Sequence, residues 1–119
     1  MTRILLAEDD DQMRAFLTRG LRRAGHAVDP VPDGKAALAQ SRKASYDLLL
    51  ADVVMPGLDG IELARRVALH QPGIRIMFIT GFAAVALQDD GFSAKRPRVL
   101  AKPFHLRHLI DEIENLMTQ

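Results

Sequence analysis

The sequence contains no cysteine, and no long hydrophobic segment interrupts its 119 residues. Without cysteine, disulfides and thiol chemistry are excluded, which agrees with a reducing compartment. No run of about 18 apolar residues is present, so a membrane-spanning helix is excluded. The apolar stretch at residues 4–7 is followed at once by four acids and is too short for a signal peptide. We therefore expect a cytoplasmic protein that does not contact a membrane.

The sequence also lacks a strong excess of charge of one sign, since its formal net charge is +1. So small a charge gives no overall attraction to nucleic acid or to anionic lipid. Arg96, Arg98, Lys102 and Arg107 form a modest basic patch, but no helix-turn-helix pattern follows it, and we expect no nucleic-acid partner. With 48% hydrophobic and 26% charged residues, the composition fits one soluble domain over residues 1–119 without an output domain.

Short apolar runs alternate with amphipathic stretches along the chain. Near-continuous apolar runs predict strands buried on both faces at residues 3–7, 47–51, 74–79 and 98–101. A weaker run at 27–31 contains Pro30, which cannot donate to a ladder, and this predicts a strand at the sheet edge. Apolar spacings of three and four predict helices over 12–24, 34–44, 60–70 and 106–118.

This alternation predicts an α/β fold, a flavodoxin-like doubly wound sheet of five parallel strands. The edge position of the second strand favours the strand order 2-1-3-4-5. Five helices are expected, and the fourth should be short or irregular because the pattern after the fourth strand breaks down at residues 88–91.

Polar side chains follow four of the predicted strands. Glu8 and Asp9 come after the first strand, Asp52 after the third, Thr80 ends the fourth and Lys102 follows the fifth. The carboxyl ends of parallel strands meet at one edge, where open α/β sheets bind ligands. Crowded carboxylates repel one another, and Mg²⁺ relieves that repulsion while sharing phosphate oxygens. A hydroxyl and an ammonium at the same edge would balance a phosphoryl group on Asp52.

Each of these residues also has a structural interpretation. Acids after a strand often cap the next helix, and we assign Asp10 and Asp11 to that role. For Glu8 and Asp9, capping and metal binding remain equally open on the residues alone. Taken singly, Thr80 is a strand end and Lys102 a surface lysine, so only their combination with the acids favours a site.

The motifs that carry this combination resemble the receiver domain of response regulators. They are Glu8-Asp9, Asp52-Val53-Val54-Met55-Pro56-Gly57-Leu58-Asp59-Gly60, Thr80-Gly81 and Lys102-Pro103-Phe104. The resemblance covers essentially the whole chain. It implies that Asp52 is the phosphoacceptor and that a histidine kinase or histidine phosphotransferase donates the phosphoryl group.

The resemblance also implies the roles of the residues around Asp52. Asp9, Asp52, the Val54 carbonyl and, through water, Glu8 would hold Mg²⁺. Thr80 would move to bond a phosphoryl oxygen, Lys102 would pair with another, and Pro103 would follow a cis peptide bond. This chemistry needs positioning and charge neutralisation more than covalent help.

Two features depart from the usual receiver pattern. Val99 occupies a strand position where an aromatic switch residue is usual. We predict that Val99 is simply buried, and that output depends more on the segment from Gly81 to residue 97. Val54 and Phe82 are apolar where the hydrolytic water would pass, which predicts slow self-dephosphorylation. The alternative is that Val54 and Phe82 merely pack.

Three functions are compatible with these residues. The first is a phosphorylation-controlled binding switch, the second is a phosphorelay shuttle, and the third is a Mg²⁺-dependent phosphohydrolase. The third is weakest because Val54 stands where such enzymes need a second acid, so we expect no enzyme beyond self-phosphorylation. Residues 3–10 and 77–87 resemble single-domain regulators of bacterial cell-cycle proteolysis, which implies a ClpXP adaptor, with ClpX as partner, in the unphosphorylated state.

Overall fold

The computed structural model describes residues 1–81 and 97–119. Five parallel strands form one sheet in the order β2-β1-β3-β4-β5, which confirms the predicted class and strand order. The strands are β1 Arg3–Ala7, β2 Ala27–Val31, β3 Leu48–Asp52, β4 Arg75–Thr80 and β5 Arg98–Ala101. Pro30 lies in β2 opposite Leu6 of β1, and β2 is an edge strand as its proline predicts.

Four helices occur in the described ranges: α1 Asp11–Arg23, α2 Gly34–Ser41, α3 Gly60–His70 and α4 Leu106–Met117. The segment after β4, where a short or irregular fourth helix is predicted, lies outside the described residues. Three of these helices are preceded by a capping aspartate whose carboxylate accepts a backbone N–H of the first turn, namely Asp10, Asp33 and Asp59. Capping by Asp10 is thereby confirmed, and Asp11 lies in the first turn of α1. No helix in these ranges could cross a bilayer.

The sheet is covered by helices on both faces, which explains its continuous apolar strands. On one face, Leu49 and Phe78 belong to a buried cluster that includes residues of α2 and α3. On the other face, Leu48 and Leu50 belong to a second cluster that includes residues of α1 and α4. Successive strand residues therefore alternate between two cores, and both cores hold the strand ends in place.

Several element bounds differ from those predicted, and the differences have physical causes. Strand β3 extends to Asp52 and β4 to Thr80, because their backbones continue the ladder even where the side chain is polar. Helix α2 ends at Ser41 rather than at residue 44. The Gln71 side chain donates to the carbonyls of Ser41 and Ala44, at 2.6 and 3.0 Å, and so fixes a turn there.

The start of α3 packs directly on the end of β3. The Gly60 N–H donates to the Val53 carbonyl at 2.9 Å. A Cβ on Gly60 would fall well inside van der Waals contact of the Asp52 carbonyl oxygen. Glycine is therefore required at this position because two backbone segments approach closely.

Replacing this glycine should disturb the fold at Asp52. We expect Gly60→Ala to destabilise the protein by roughly 1–3 kcal/mol, because neither backbone segment yields readily and the clash outweighs the better helix propensity of alanine. Urea unfolding measures the change. Gly73→Ala is the matched control, since a Cβ there has no neighbour within 4 Å. Equal stability of the two variants would contradict the packing argument.

Candidate functional site

The candidate site lies where four strands end at the carboxyl edge of the sheet. Glu8 follows β1, Asp52 ends β3, Thr80 ends β4 and Lys102 follows β5. Because β1, β3, β4 and β5 are consecutive neighbours, these residues come from adjacent positions along the edge. The edge includes the point where strand order reverses, between β1 and β3.

Three carboxylates and one ammonium converge there. Glu8, Asp9 and Asp52 each place a carboxylate oxygen within 4.8 Å of the others. The Lys102 Nζ donates to Asp52 Oδ2 at 2.7 Å and lies 3.5 Å from Glu8 Oε1. The structure thus brings together four of the residues that the sequence predicts for the site.

Burial differs among the three acids, and this difference sets their electrostatics. Glu8 is 0% exposed and Asp52 is 7% exposed, whereas Asp9 is open to solvent. Burial, followed by the charge of Asp52, raises the pKa of Glu8, although the Asp10 N–H and Lys102 act in the opposite direction. A buried carboxylate next to another is costly, so Glu8 favours a nearby positive charge.

Lys102 supplies one such charge. Burial alone would lower the pKa of Lys102, but the hydrogen bond and charge of Asp52, with the charge of Glu8, outweigh it and raise the pKa. Lys102 is therefore a cation at neutral pH. It is half-buried and paired, which corrects the interpretation of this residue as an ordinary surface lysine.

The acidic cluster fits a hard divalent cation. All three side chains offer oxygen, and one ammonium leaves negative charge in excess among them. Mg²⁺ typically binds one or two carboxylates and keeps several waters, which suits a cluster with one exposed member, Asp9. The residues present could therefore hold Mg²⁺.

Val54 lies beside this cluster in the loop after β3. Its backbone N–H donates to Asp52 Oδ1 at 3.1 Å, so the loop turns back on the Asp52 side chain. Val54 is 54% exposed, so it lies at the surface rather than in either core. Participation of its carbonyl in metal binding stays a prediction. Phe82, the other apolar residue assigned to the water path, lies outside the described residues.

The remaining predicted positions lie on β4, on β5 or directly after them. Thr80 is 0% exposed, and its carbonyl accepts the Lys102 N–H at 2.9 Å, which links the two strand ends. Gly81 follows it and is exposed. The peptide bond between Lys102 and Pro103 is cis, as expected. Val99 is only partly buried and packs against the α2–α3 side of the core, so the prediction of a simply buried valine holds in part.

The sequence patterns did not predict the contacts of two groups of charged residues. In the basic patch, Arg98 pairs with Glu112 at 2.5 Å, and His108 lies 3.4 Å from the same carboxylate. The signal for His108 was an acid four residues on in a helix. The second is Arg14, whose guanidinium contacts the β1–α1 loop. Its ion pair with Asp11, three residues away, was detectable in the sequence.

Comparison with known proteins agrees with this site. Residues 4–114 match the family of the response regulator receiver domain. The chain belongs to this family, the receiver domains of two-component response regulators. It is 51% identical over 117 residues to the response regulator receiver protein CpdR of Brucella abortus, with 98% of each chain covered. It is 35% identical to the transcriptional regulatory protein TcrA of Mycobacterium tuberculosis, covering 96% of this chain but 45% of TcrA.

Solved structures of receiver proteins have the same fold. The chemotaxis protein CheY4 of Vibrio cholerae superposes with a TM-score of 0.88 at 26% identity, over 98% of both chains. The response regulator TrrA of Thermotoga maritima, in complex with Mg²⁺-BeF, gives 0.86 at 26% identity, over 98% of this chain and 99% of TrrA. TrrA in complex with the histidine kinase ThkA gives 0.82 at 27% identity, over 98% of each chain.

The raised pKa of Glu8 generates a pH-dependent prediction for the metal-free protein. Because the folded state binds this proton more tightly than an unfolded chain with the ordinary pKa of 4.5, the stabilisation is complete below that pH. It is lost as the pH rises through the raised pKa. Glu8→Gln removes the titration, so in EDTA the Tm of this variant relative to the parent should rise as the pH increases from 4.5 to 7.

Differential scanning fluorimetry across this pH range measures the effect. Glu62→Gln is the control, because hydrogen bonds from Arg66 and Arg65 lower the pKa of Glu62 and give the opposite sign. A Tm difference between Glu8→Gln and the parent that does not change with pH would show that burial of Glu8 carries no electrostatic cost.

Proposed function

We propose that this protein is a response regulator that accepts a phosphoryl group on Asp52 from a phosphohistidine, with Mg²⁺ bound at the acidic cluster. The observation that carries the proposal is the Asp52 carboxylate, ion-paired to Lys102 at 2.7 Å beside two further carboxylates. The family match supplies the class of reaction. The Mg²⁺-BeF complex of TrrA supports the choice of ion, because TrrA has the same fold.

In this proposal the Asp52 carboxylate is the nucleophile. An oxygen of Asp52 forms a bond to phosphorus as the phosphorus–nitrogen bond of the donor histidine breaks, and the histidine nitrogen leaves with the electron pair. Asp9, Asp52 and the Val54 carbonyl would ligate Mg²⁺, with Glu8 acting through water. When bound, the ion neutralises charge on the phosphoryl oxygens.

Lys102 and Thr80 would hold the transferred group. The Lys102 ammonium already bonds Asp52 Oδ2, so it lies where a phosphoryl oxygen on that carboxylate would need a cation. The buried Thr80 ends the neighbouring strand, and its hydroxyl would donate to a second phosphoryl oxygen. The bond between the Lys102 N–H and the Thr80 carbonyl holds the two backbones together before the reaction, and the Thr80 side chain would then move to reach its phosphoryl oxygen.

The proposed activity ends with phosphorylation of this chain rather than turnover of a substrate. The side chain two residues beyond Asp52 is the exposed valine Val54, which offers no acid or base to a hydrolytic water. This favours slow self-dephosphorylation, and it argues against a phosphohydrolase. We propose that residues 1–119 act as a single receiver domain, through direct protein contacts.

Phosphorylation should depend on both Asp52 and Lys102. With acetyl phosphate and Mg²⁺, we expect intact mass to show one added phosphoryl group, absent in EDTA and in Asp52→Asn. Lys102→Ala should slow the reaction roughly a hundredfold, because a preorganised cation is lost. Lys35→Ala, an exposed lysine on α2, serves as the matched control.

Two results would contradict this part of the proposal. One is phosphorylation that persists in Asp52→Asn, and the other is equal rates for Lys102→Ala and Lys35→Ala. Once the donor is removed, decay of the mass peak within seconds would exclude the slow self-dephosphorylation attributed to Val54.

The proposed output is binding of a protein target in one phosphorylation state. TrrA, which has this fold, binds the histidine kinase ThkA, and this supports a histidine kinase or phosphotransferase as the phosphodonor. The 51% identity to CpdR over nearly the full length of both proteins supports a finer proposal. The chain would act as an adaptor for ClpXP-type proteolysis, binding ClpX when Asp52 is unphosphorylated and releasing it on phosphorylation.

Binding to purified ClpX tests this adaptor role. With Mg²⁺ alone, we expect the protein to bind ClpX at least about tenfold more tightly than with Mg²⁺ and beryllium fluoride, because a phosphoryl-like group shifts the conformational population. Asp52→Asn should bind with one affinity in both conditions. Tighter binding in beryllium fluoride, or none in either condition, would contradict the adaptor. Rapid phosphoryl transfer to a histidine phosphotransferase would then favour the shuttle.

A further inference from the structure

An arginine of α1 reaches back to the loop that carries two of the acids. Arg14 lies in the first turns of α1, and its side chain is 22% exposed. Its Nη1 donates to the backbone carbonyl of Glu8 at 3.0 Å. Its Nη2 donates to Asp11 Oδ1 at 2.6 Å, which fixes the plane of the guanidinium.

The contact falls on the peptide unit that joins Glu8 to Asp9. That unit is planar, so the Glu8 carbonyl and the Asp9 N–H move as one rigid body. The Glu8 N–H is already bonded to the Val31 carbonyl at 3.2 Å, and Glu8 Oε2 accepts the Asp10 N–H at 3.0 Å. The Arg14 bond fixes the carbonyl side of the same residue, and with it the position of the Asp9 Cα, which lies in the same peptide plane.

We propose that Arg14 is a positioning residue of the Mg²⁺ site. It holds the Glu8–Asp9 peptide so that both carboxylates face Asp52, although it is not itself a ligand. The inference rests on the proposed function, since it concerns the affinity of the same site for Mg²⁺. Orientation of ligands by a neighbouring hydrogen bond typically changes metal affinity roughly tenfold or more.

If only the charge of Arg14 mattered, removing it would change the Mg²⁺ affinity in the opposite direction. This difference in sign makes the inference testable. A cation close to the site repels Mg²⁺, so deleting it would raise the affinity if orientation were unimportant. The ion pair with Asp11 reduces that repulsion, because the carboxylate neutralises the guanidinium charge locally. In the proposal, loss of orientation therefore outweighs the relief of repulsion.

Arg22 provides a matched control on the same helix. Its Nη2 also donates to a backbone carbonyl, that of Val28, at 2.9 Å. Val28 lies in β2, near its amino end and away from the carboxyl edge of the sheet. Arg22→Met thus removes an arginine and an equivalent bond from α1 without touching the β1–α1 loop.

The experiment is calorimetric titration of Mg²⁺ into the full chain and three variants, with circular dichroism to verify folding. Arg14→Met should weaken Mg²⁺ binding roughly tenfold. Arg14→Lys should weaken it less, because an ammonium can keep the bond to the Glu8 carbonyl but not the second bond to Asp11. Arg22→Met should stay within about twofold of the parent.

Phosphorylation by acetyl phosphate supplies a second measurement. If Arg14 acts through Mg²⁺, the rate of Arg14→Met should approach that of the parent as Mg²⁺ becomes saturating, with only the half-saturating concentration raised. Unchanged or tighter Mg²⁺ binding by Arg14→Met would overturn the inference while leaving the proposed function intact. An equal loss in Arg22→Met would also overturn it. No Mg²⁺ binding by the parent would overturn the proposed function and the inference together.

Discussion

The rest of this structure depends on the repulsion among three carboxylates. The oxygens of Glu8, Asp9 and Asp52 lie within 4.8 Å of one another, and the sheet that holds Glu8 and Asp52 is packed on both faces. The strand ends cannot move apart to relieve the repulsion without disrupting both cores. The only nearby ammonium in the described residues is Lys102, which pairs with Asp52 and lies close to Glu8. Negative charge therefore remains in excess at the site, and a divalent cation can neutralise it.

The surrounding structure maintains that arrangement. Gly60 lets α3 begin in contact with the Asp52 backbone, and the bond between the Lys102 N–H and the Thr80 carbonyl joins the ends of β4 and β5. Arg14 holds the loop after β1 at the Glu8 carbonyl. Each of these contacts is made to a backbone atom, so the acids are positioned by the fold rather than by one another. A phosphoryl group arriving at Asp52 would redistribute the contacts of Lys102, and such a change is the usual origin of a population shift in phosphorylation switches.

Sequence patterns predicted most of this architecture, and their failures are instructive. Pro30 identified the edge strand, and hydrophobic runs located all five strands to within a residue. The ends of β3 and β4 were set one residue short because hydrophobicity stops at Asp52 and Thr80 while the hydrogen-bond ladder does not. The burial of Lys102 depends on which strands are neighbours, and the bond from Arg14 to the Glu8 carbonyl depends on how far the arginine side chain extends towards the β1–α1 loop. Those facts are tertiary, and a local pattern does not contain them.

The most direct test of the central claim is to locate the phosphorylated residue. After reaction with Mg²⁺ and a phosphohistidine donor, borohydride reduces an aspartyl phosphate to homoserine, which peptide mass spectrometry assigns to one position. The account predicts conversion at Asp52 alone, because its carboxylate makes the short 2.7 Å ion pair with Lys102, beside two further acids, at the end of β3. Conversion at Asp9 or at another acid, or none despite a competent donor, would contradict it.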